Sequence, residues 1–276
     1  MTQAAGDYVL GTQDSEVVRL GVQHRVWREA MLGAWRRAGL REGWRVLDVG
    51  AGPGYATVDL AETVGPAGHV VAVERSPRFA QVVRRECERR ALANVEVVEA
   101  DLMDLERVEQ VPSGQFDMAW CRWVASFVAS PEALARTLAR VVRPGGRLVA
   151  HEYADYASWR FTPPRPHLEQ FVGEVMASWR AEGGEPDVAL PFAGMLRTAG
   201  FRIASVRPLV FAVGPGDPAW RWAAAFVATN PARLQELGRV PAEWADRVRA
   251  EFAAAESDPG GHMITPMVLE IVAERT

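Results

Sequence analysis

The sequence predicts an α/β fold, in which a doubly wound, mostly parallel sheet of seven strands carries helices on both faces and an added helical lid. The first reason is a regular alternation of short apolar segments with helical segments between residues 44 and 153, a pattern typical of parallel sheets. The second is a glycine-rich turn, GAGPG at residues 50–54, directly after the first apolar segment. The third is an acidic residue near the end of each of the first three strand-like segments.

The first half of the chain divides into elements by periodicity and by boundary residues. Residues 14–38 have apolar side chains at a spacing of four and end before Gly39, which predicts an amphipathic helix. The sequence SP at residues 76–77 and at 130–131 supplies an N-cap and a first helical residue for two helices. Residues 56–65 form a further helix. Five strands alternate with these helices, at residues 44–50, 69–74, 95–100, 116–120 and 147–153.

After residue 153 the alternation gives way to longer helical segments, at residues 165–182 and 187–199 and within 217–257. Two strands complete the set of seven, at 201–213 with a bend near Pro208 and at 267–275. No change of composition marks a separable domain. We therefore expect one domain with three parts: an N-terminal helical lid (1–44), a ligand-binding core (45–153), and the rest of the sheet with helical insertions that cover the ligand (154–276).

Composition and charge argue against several functional classes. A net charge of −4 is unusual for a protein that binds nucleic acid or an anionic membrane. No apolar run approaches the ~20 residues that cross a bilayer, and the first residues, MTQAAGDYVLG, lack the features of a secretion signal. Cys87 and Cys121 stand alone, without metal-ligand spacing or a disulfide framework. We therefore expect a cytoplasmic protein with no metal, nucleic-acid or membrane partner.

The ligand site is predicted at the carboxyl ends of the strands, where such sheets bind ligands. The glycines of the turn let the chain reverse sharply and bring its backbone close to a ligand, although a turn alone also fits a dinucleotide site or no ligand. Glu74, twenty residues after Gly54, can accept hydrogen bonds from both hydroxyls of a ribose. Asp101 can accept from an adenine amine, and Asp48 from the backbone of the turn.

Five segments between residues 45 and 153 are informative as a set because of their order along the chain: VLDVGAGPGY, VVAVERS, EADL, FDMAWCRW and VVRPGGRLVAHEY. In order and spacing they resemble the motifs of class I S-adenosylmethionine (SAM)-dependent methyltransferases, which have a Rossmann-like fold. The N-terminal segment YVLGTQDSEVVRLGVQ is similar to that of bacterial small-molecule methyltransferases near the quinone-biosynthesis type. Nicotinamide enzymes typically space their glycines G-x-G-x-x-G. The sequence G-A-G-P-G therefore favours SAM over NAD, because SAM has no phosphate to bind.

The resemblance implies a function and a set of cofactor residues. The function is transfer of a methyl group from SAM to carbon, oxygen or nitrogen of a small-molecule acceptor, by in-line displacement, with S-adenosylhomocysteine as the product. Two alternatives are a SAM-binding protein that catalyses a pericyclic or lyase-type reaction without methyl transfer, and a ligand sensor. The implied cofactor residues are Tyr8, Gln23, Asp48, Gly50, Gly52, Gly54, Glu74, Arg75, Asp101, Leu102 and Arg122.

The candidate catalytic residue is His151, because it ends the fifth strand and neutral imidazole removes protons near pH 7. The competing interpretation is a structural histidine that bonds a backbone carbonyl. Glu152 and Tyr153 are alternative bases, since strand alternation lets only some of the three side chains face the cleft. Arg122 either contacts the cofactor or forms an ion pair beside a helix.

The acceptor is expected to be a small molecule, aromatic or hydrophobic, because the chain has ten tryptophans and several fall in segments that border the acceptor side. Flat ligands pack well on such rings, although core packing is the alternative role for each. The sequence CRWV after the fourth strand is not the proline-rich tetrapeptide of methyltransferases that act on DNA adenine or protein glutamine. A homodimer is compatible with the resemblance. The tryptophans in question are Trp120, Trp123, Trp159 and Trp179.

Overall fold

The computed structural model describes residues 11–276, with positions 106 and 107 described as backbone only. Its main sheet has seven strands in the order β3-β2-β1-β4-β5-β10-β7, which confirms the predicted fold class. Six strands run in one direction, and β10 is antiparallel to both of its neighbours. These strands are β1 (Arg45–Val49), β2 (His69–Glu74), β3 (Val95–Glu99), β4 (Phe116–Arg122), β5 (Val142–Asp155), β7 (Phe201–Leu209) and β10 (Met267–Arg275).

Eight α-helices surround the sheets within the described residues. Helices α1 and α2 pack on one face of the main sheet, and α4 and α6 on the other. Because the strand order reverses at β1, the carboxyl ends of β1 and β4 border an open crevice. The helices are α1 (Asp14–Ala38), α2 (Tyr55–Val64), α3 (Pro77–Arg89), α4 (Pro131–Val141), α5 (Pro166–Ala181), α6 (Ala189–Thr198), α7 (Trp220–Glu236) and α8 (Ala242–Glu256).

Helix α1 does more than cover the crevice. Its C-terminal half packs into the main sheet, where Met31 and Trp35 are buried against Val46 and Trp120. Its N-terminal half lies over the crevice and against α7. Only the N-terminal half of α1 therefore lies over the crevice, because its C-terminal half belongs to the layer that covers the sheet.

A second, three-stranded sheet with the order β6-β9-β8 was not predicted from the sequence. It consists of β6 (Arg160–Thr162), β8 (Ala212–Val213) and β9 (His262–Ile264). The predicted strand at 201–213 is divided between the two sheets, since β7 ends at Leu209 and β8 pairs with β9. Pro208 stays within β7, which is an edge strand, a position where proline is tolerated in a sheet.

A third layer of core is strongly aromatic and joins α5, α7 and α8 to the second sheet. Phe161 of β6 packs against Trp220 of α7 and Phe252 of α8, with ring centroids 6.0 Å apart in both cases. This core closes the crevice on the side away from the glycine turn. None of the helices within residues 11–276 is both long and apolar enough to cross a membrane.

Candidate functional site

The glycine turn after β1 adopts a backbone that only glycine takes readily. Gly50, Gly52 and Gly54 have φ values of +65°, +55° and +84°, in the left-handed region. A β-carbon on Gly54 would lie 2.8 Å from Cγ2 of Val83, and one on Gly50 would lie 2.9 Å from Cγ2 of Val124. A β-carbon on Gly52 would meet no atom within 4 Å. Two of the glycines thus serve close packing, while Gly52 faces open space.

Glu74, at the end of β2, holds this turn in place. Its Oε2 accepts a hydrogen bond from the N–H of Gly52 at 2.8 Å, and its Oε1 accepts one from the N–H of Ser76 at 2.8 Å. Burial raises the pKa of the carboxyl, although these two N–H groups oppose the rise. The carboxylate thus joins the carboxyl ends of β1 and β2 on the floor of the crevice.

Asp48 is buried within β1 and points into the crevice between the turn and β4. Its Oδ2 accepts from Oγ1 of Thr57 at 2.6 Å. Burial raises the pKa of Asp48 to about 6, while the charge of Arg122 opposes the rise. Near neutral pH this side chain is therefore a buried carboxylate, which favours a cationic ligand beside it.

A cavity of about 460 Å³ occupies the crevice. It brings together most of the predicted site, while Asp101 stands at its exposed rim and accepts from the N–H of Met103 at 2.8 Å. Gly54 does not line it, because it packs against α3. Tyr8 lies outside the described residues. The predicted residues that line the cavity are Gln23, Asp48, Gly50, Gly52, Glu74, Arg75, Asp101, Leu102 and Arg122.

Arg122 lines the cavity at the end of β4 and also bonds to α1. Its Nη2 lies 3.3 Å from Nδ1 of His24, and its Nη1 lies 3.8 Å from the sulfur of Met31. Within the part of the chain that the structure describes, it forms no ion pair with a carboxylate. Burial lowers the pKa of Arg122 to about 10, and the charge of Asp48 limits the effect. Of its two interpretations, the structure favours the guanidinium beside the cavity.

His24 carries this contact onward to α2. Because arginine can only donate, Nδ1 of His24 must accept, and Nε2 therefore carries the proton. Nε2 donates to Oδ2 of Asp59 at 3.0 Å, and Asp59 also accepts from Arg28. Burial lowers the pKa of His24, Asp59 raises it and Arg122 lowers it further. The imidazole is thus a neutral link between β4 and α2, supplied by α1.

The structure does not place His151, the predicted catalytic base, in the lining of the cavity. The residue is fully buried, and it does not line the cavity. Its ring packs beneath α1 at 5.0 Å from Trp120 and 6.5 Å from Trp27. Its nearest charged neighbour is Glu270 of β10, 3.7 Å from Nε2, which is too long for a hydrogen bond. Burial lowers the pKa of His151. A base must reach the proton it removes, and α1 prevents this.

The two alternative bases that follow His151 in the sequence, Glu152 and Tyr153, lie in different surroundings. Glu152 is fully buried and accepts hydrogen bonds from the N–H groups of Val124, Ala125 and Ser126, at 2.7–3.3 Å, and from the Ser126 hydroxyl. Burial raises the pKa of Glu152 to about 7 against the effect of these bonds. It shapes the loop after β4 and does not line a cavity. Tyr153 alone faces a cavity, the one described next.

A second, smaller cavity of about 30 Å³ adjoins the first. Gln23, Trp123, Phe127 and Trp179 line both cavities, so the two meet at these side chains. The small cavity is enclosed mostly by rings, among which Trp123 stacks on Trp222 at 5.9 Å with an interplanar angle of 13°. We call it the aromatic chamber. Its aromatic residues are Trp123, Phe127, Tyr153, Tyr156, Trp159, Trp179, Trp222 and Phe226.

Three of the four singled-out tryptophans line the aromatic chamber, namely Trp123, Trp159 and Trp179, while Trp120 borders the large cavity. Sequence reasoning missed other lining residues. Tyr55 comes directly after the glycine turn. Its hydroxyl donates to the carbonyl of Val17 at 3.0 Å, and its ring stacks on His24. Its position next to the turn in the sequence could have identified it as a site residue. No local signal marks Phe127, Trp222 and Phe226, which distant segments bring together.

Comparison with known proteins finds similarity to methyltransferases. A family model described as a methyltransferase domain matches residues 47–150. Over 110 residues the chain is 43% identical to a protein-L-isoaspartate O-methyltransferase of Methanothrix thermoacetophila, with 40% of this chain and 48% of that protein covered. The chain is 28% identical over 208 residues to a demethylmenaquinone methyltransferase of a Geobacillus strain, with 69% of this chain and 83% of that protein covered. The chain spans about half the length of the first curated relatives it matches.

Among solved structures, the geranyl diphosphate C-methyltransferase of Streptomyces coelicolor has a TM-score of 0.58 at 15% identity, with 92% of this chain and 80% of that chain covered. At this identity the likeness shows the fold alone. The matched domain and the relatives named for quinone biosynthesis agree with the resemblance of the five sequence motifs. Within residues 11–276, no group of three or more His, Cys, Asp or Glu is arranged to hold a metal ion.

Proposed function

We propose that this chain, whose residues 47–150 match a family model described as a methyltransferase domain, transfers a methyl group from SAM to a small-molecule acceptor. The observation that carries the proposal is the junction of two cavities: one lined by a glycine turn and buried carboxylates, the other by aromatic rings. The reacting centre would lie where they meet. The chain is expected to work in the cytoplasm, where its two free cysteines, both buried, stay reduced.

The residues of the large cavity fit the adenosyl part of SAM. Backbone at Gly52 is open to the cavity, where a ligand can approach closely. Glu74 presents a carboxylate at the position that suits two ribose hydroxyls. Asp101 stands at the rim as an acceptor for an adenine amine, and the apolar side chains of Phe79 and Leu102 line the same region.

When bound, SAM supplies a methyl group activated by a cationic sulfur. The chain's own contribution is alignment, exclusion of water and a matching charge. Holding two reactants in line is worth about 7–11 kcal/mol of the barrier. The Asp48 carboxylate, buried at 2% exposure, offers a negative charge in a site of low polarity, where charges interact strongly. Since His151 does not reach the cavity, proximity and desolvation account for the rate without a base at that position.

The acceptor is proposed to be flat and aromatic or otherwise apolar. The support is the group of rings that line both cavities, Trp123, Phe127 and Trp179, because rings of this kind bind flat apolar molecules through their faces and edges. Relatives named for ubiquinone and menaquinone biosynthesis support the same class. The structural neighbour crystallised with geranyl diphosphate supports an apolar acceptor more generally. Carbon, oxygen and nitrogen remain equal candidates for the methylated atom.

A thermal-shift panel with SAM, S-adenosylhomocysteine, NAD and FAD tests the cofactor. A ligand at 1,000 times its dissociation constant stabilises the folded state by about 4 kcal/mol, so SAM and S-adenosylhomocysteine should raise the melting temperature. A rise with NAD alone would overturn the proposal. Release of S-adenosylhomocysteine with aromatic acceptors tests transfer. Product formation without that release indicates the pericyclic or lyase-type alternative, and binding without any turnover indicates a sensor.

Asp101→Ala tests where the adenine lies. The side chain is exposed, so the variant should fold, and its affinity for SAM should fall. Asp104→Ala is the matched control, because Asp104 is exposed on the same 3₁₀ turn, Leu102–Arg107, and does not line the cavity. Equal affinities of the two variants for SAM would place the adenine elsewhere.

A further inference from the structure

Gln23 occupies the junction of the two cavities, and its amide has a fixed orientation. It is 8% exposed, on the N-terminal half of α1, and lines both the large cavity and the aromatic chamber. Its Oε1 accepts from Nη1 of Arg19 at 3.0 Å and from Nε1 of Trp222 at 3.0 Å. Two separate elements, α1 and α7, therefore hold one oxygen atom.

The two partners leave no doubt about which end of the amide they contact. A guanidinium and an indole N–H can only donate, so both require an oxygen acceptor. A flipped amide would place N–H groups against N–H groups and leave all of them unsatisfied. The Nε2 group is consequently turned away from Arg19 and Trp222. Among residues 11–276 it makes no hydrogen bond of its own.

The position of Arg19 also keeps this arrangement rigid. Its guanidinium is bound bidentately by Glu16 at 2.7 Å and lies 5.5 Å from the ring of Phe226. Since the arginine is fixed by a carboxylate and a ring, the amide that it holds cannot rotate freely. Two N–H donors are thus presented in one direction at the entrance to a chamber that is otherwise enclosed mostly by aromatic rings.

We propose that the Nε2 group of Gln23 donates a hydrogen bond to an oxygen of the acceptor, and so selects aromatic acceptors that carry a carbonyl or hydroxyl oxygen beside the ring. This deepens the proposed function and rests on it. It also assigns Gln23 to the acceptor and not to the methionine end of the cofactor. The apolar ring of the acceptor would lie among Trp123, Phe127 and Trp179, and its oxygen would face the amide.

Two probes of nearly equal shape test the proposal without SAM. Acetophenone and α-methylstyrene differ by a carbonyl oxygen against a methylene group. Their dissociation constants would be measured by quenching of tryptophan fluorescence, since Trp123, Trp179 and Trp222 line the chamber. The variants are Gln23→Met, which lacks donors and acceptors, and Gln23→Glu, which keeps acceptors for Arg19 and Trp222 but has no donor. Gln81→Glu, on the exposed surface of α3, is the matched control.

The proposal expects the preference for acetophenone over α-methylstyrene to fall about fivefold or more in Gln23→Met and further in Gln23→Glu, since a neutral hydrogen bond contributes a few-fold to tenfold. Gln81→Glu should keep both the wild-type ratio and the wild-type affinity for SAM. If Gln23→Met does not fold, the Gln23→Glu ratio decides alone. Unchanged ratios, loss of SAM affinity alone, or no binding of either probe would overturn the proposal. Failure of the proposed function would instead appear as wild-type protein that does not bind SAM.

Discussion

Gly52 and Gly54 are two residues apart in one turn, yet replacing each by alanine should impair a different property. The substitution at Gly52 should weaken SAM binding, and the substitution at Gly54 should lower stability. At Gly52 the new methyl group meets no atom within 4 Å, so only the left-handed backbone at φ +55° costs stability, by about 1–2 kcal/mol. The methyl group would project into the space proposed for SAM. Gly52→Ala should therefore lose only about 1–2 kcal/mol in urea unfolding and bind SAM at least tenfold more weakly.

Gly54→Ala adds a steric cost to a similar backbone cost. The new carbon would lie 2.8 and 2.9 Å from the two γ-carbons of Val83 and 3.1 Å from its β-carbon. Overpacking of this kind costs about 1–3 kcal/mol, so the total loss should be about 2–5 kcal/mol. Because Val83 sits on α3, a pure side-chain rotation cannot relieve contacts that include its β-carbon. The folded fraction should keep most of its SAM affinity.

Urea unfolding and calorimetric titration with SAM measure the two quantities, and a double-mutant cycle isolates the contact. Val83→Ala removes both γ-carbons but keeps the β-carbon, so in that background Gly54→Ala should lose most, though not all, of its steric cost of about 1–3 kcal/mol. The reasoning is refuted if Gly52→Ala binds SAM as wild type does, because the turn then does not face the cofactor. It is equally refuted if Gly52→Ala is the less stable variant, or if the cycle shows no coupling.

Three further predictions concern buried charge. Between pH 4.5 and about 7, Glu152 keeps its proton in the folded state and has lost it in the unfolded state. The free energy of unfolding therefore falls as pH rises over this range. Glu152→Gln should make that fall smaller, as urea unfolding at several pH values would show. Arg122→Met should raise the pKa of His24, because the arginine charge lowers it, as an NMR titration of the imidazole would show. Glu270→Gln should cost about 2 kcal/mol in urea unfolding, since Arg37 binds the buried carboxylate at 2.5 and 2.8 Å; an unchanged midpoint would contradict this.

The main sheet was predictable because its signals are local. A strand that is buried on both faces is a mostly apolar run, as β1 and β2 are apart from Asp48 and the residues at their ends. The second sheet was not predictable, because its strands have two or three residues. Strands that short carry too few side chains to show a period, and they pair with segments that are distant in the sequence, as Arg160 pairs with Ile264 and Ala212 with the same residue.

The residues of the site likewise fall into those that the local sequence predicts and those that it does not. The glycine turn, Glu74 and Asp48 lie next to strand ends, so their place follows from the topology of the sheet. His151 also lies near the end of a strand. Its side chain is on the same face of the sheet as Trp120 and Arg122, which is the face that the sequence predicts for a site residue. What the sequence could not show is that α1 covers this face at the height of His151. Burial by a distant helix is a tertiary fact with no local signal.

Helix α1 links these observations, because two buried networks fix its ends to the sheet. Arg37 binds Glu270 of β10 near its C-terminus, and His24 joins Asp59 of α2 to Arg122 of β4 nearer its N-terminus. Gln23 is the neighbour of His24, so the network that meets the proposed cofactor site also sets the height of the amide at the acceptor junction. A helix held at two points cannot adjust one site without moving the other. Alignment of donor and acceptor is therefore a property of how α1 is fixed, and substitutions at Asp59, outside both cavities, should weaken transfer more than they weaken binding of SAM.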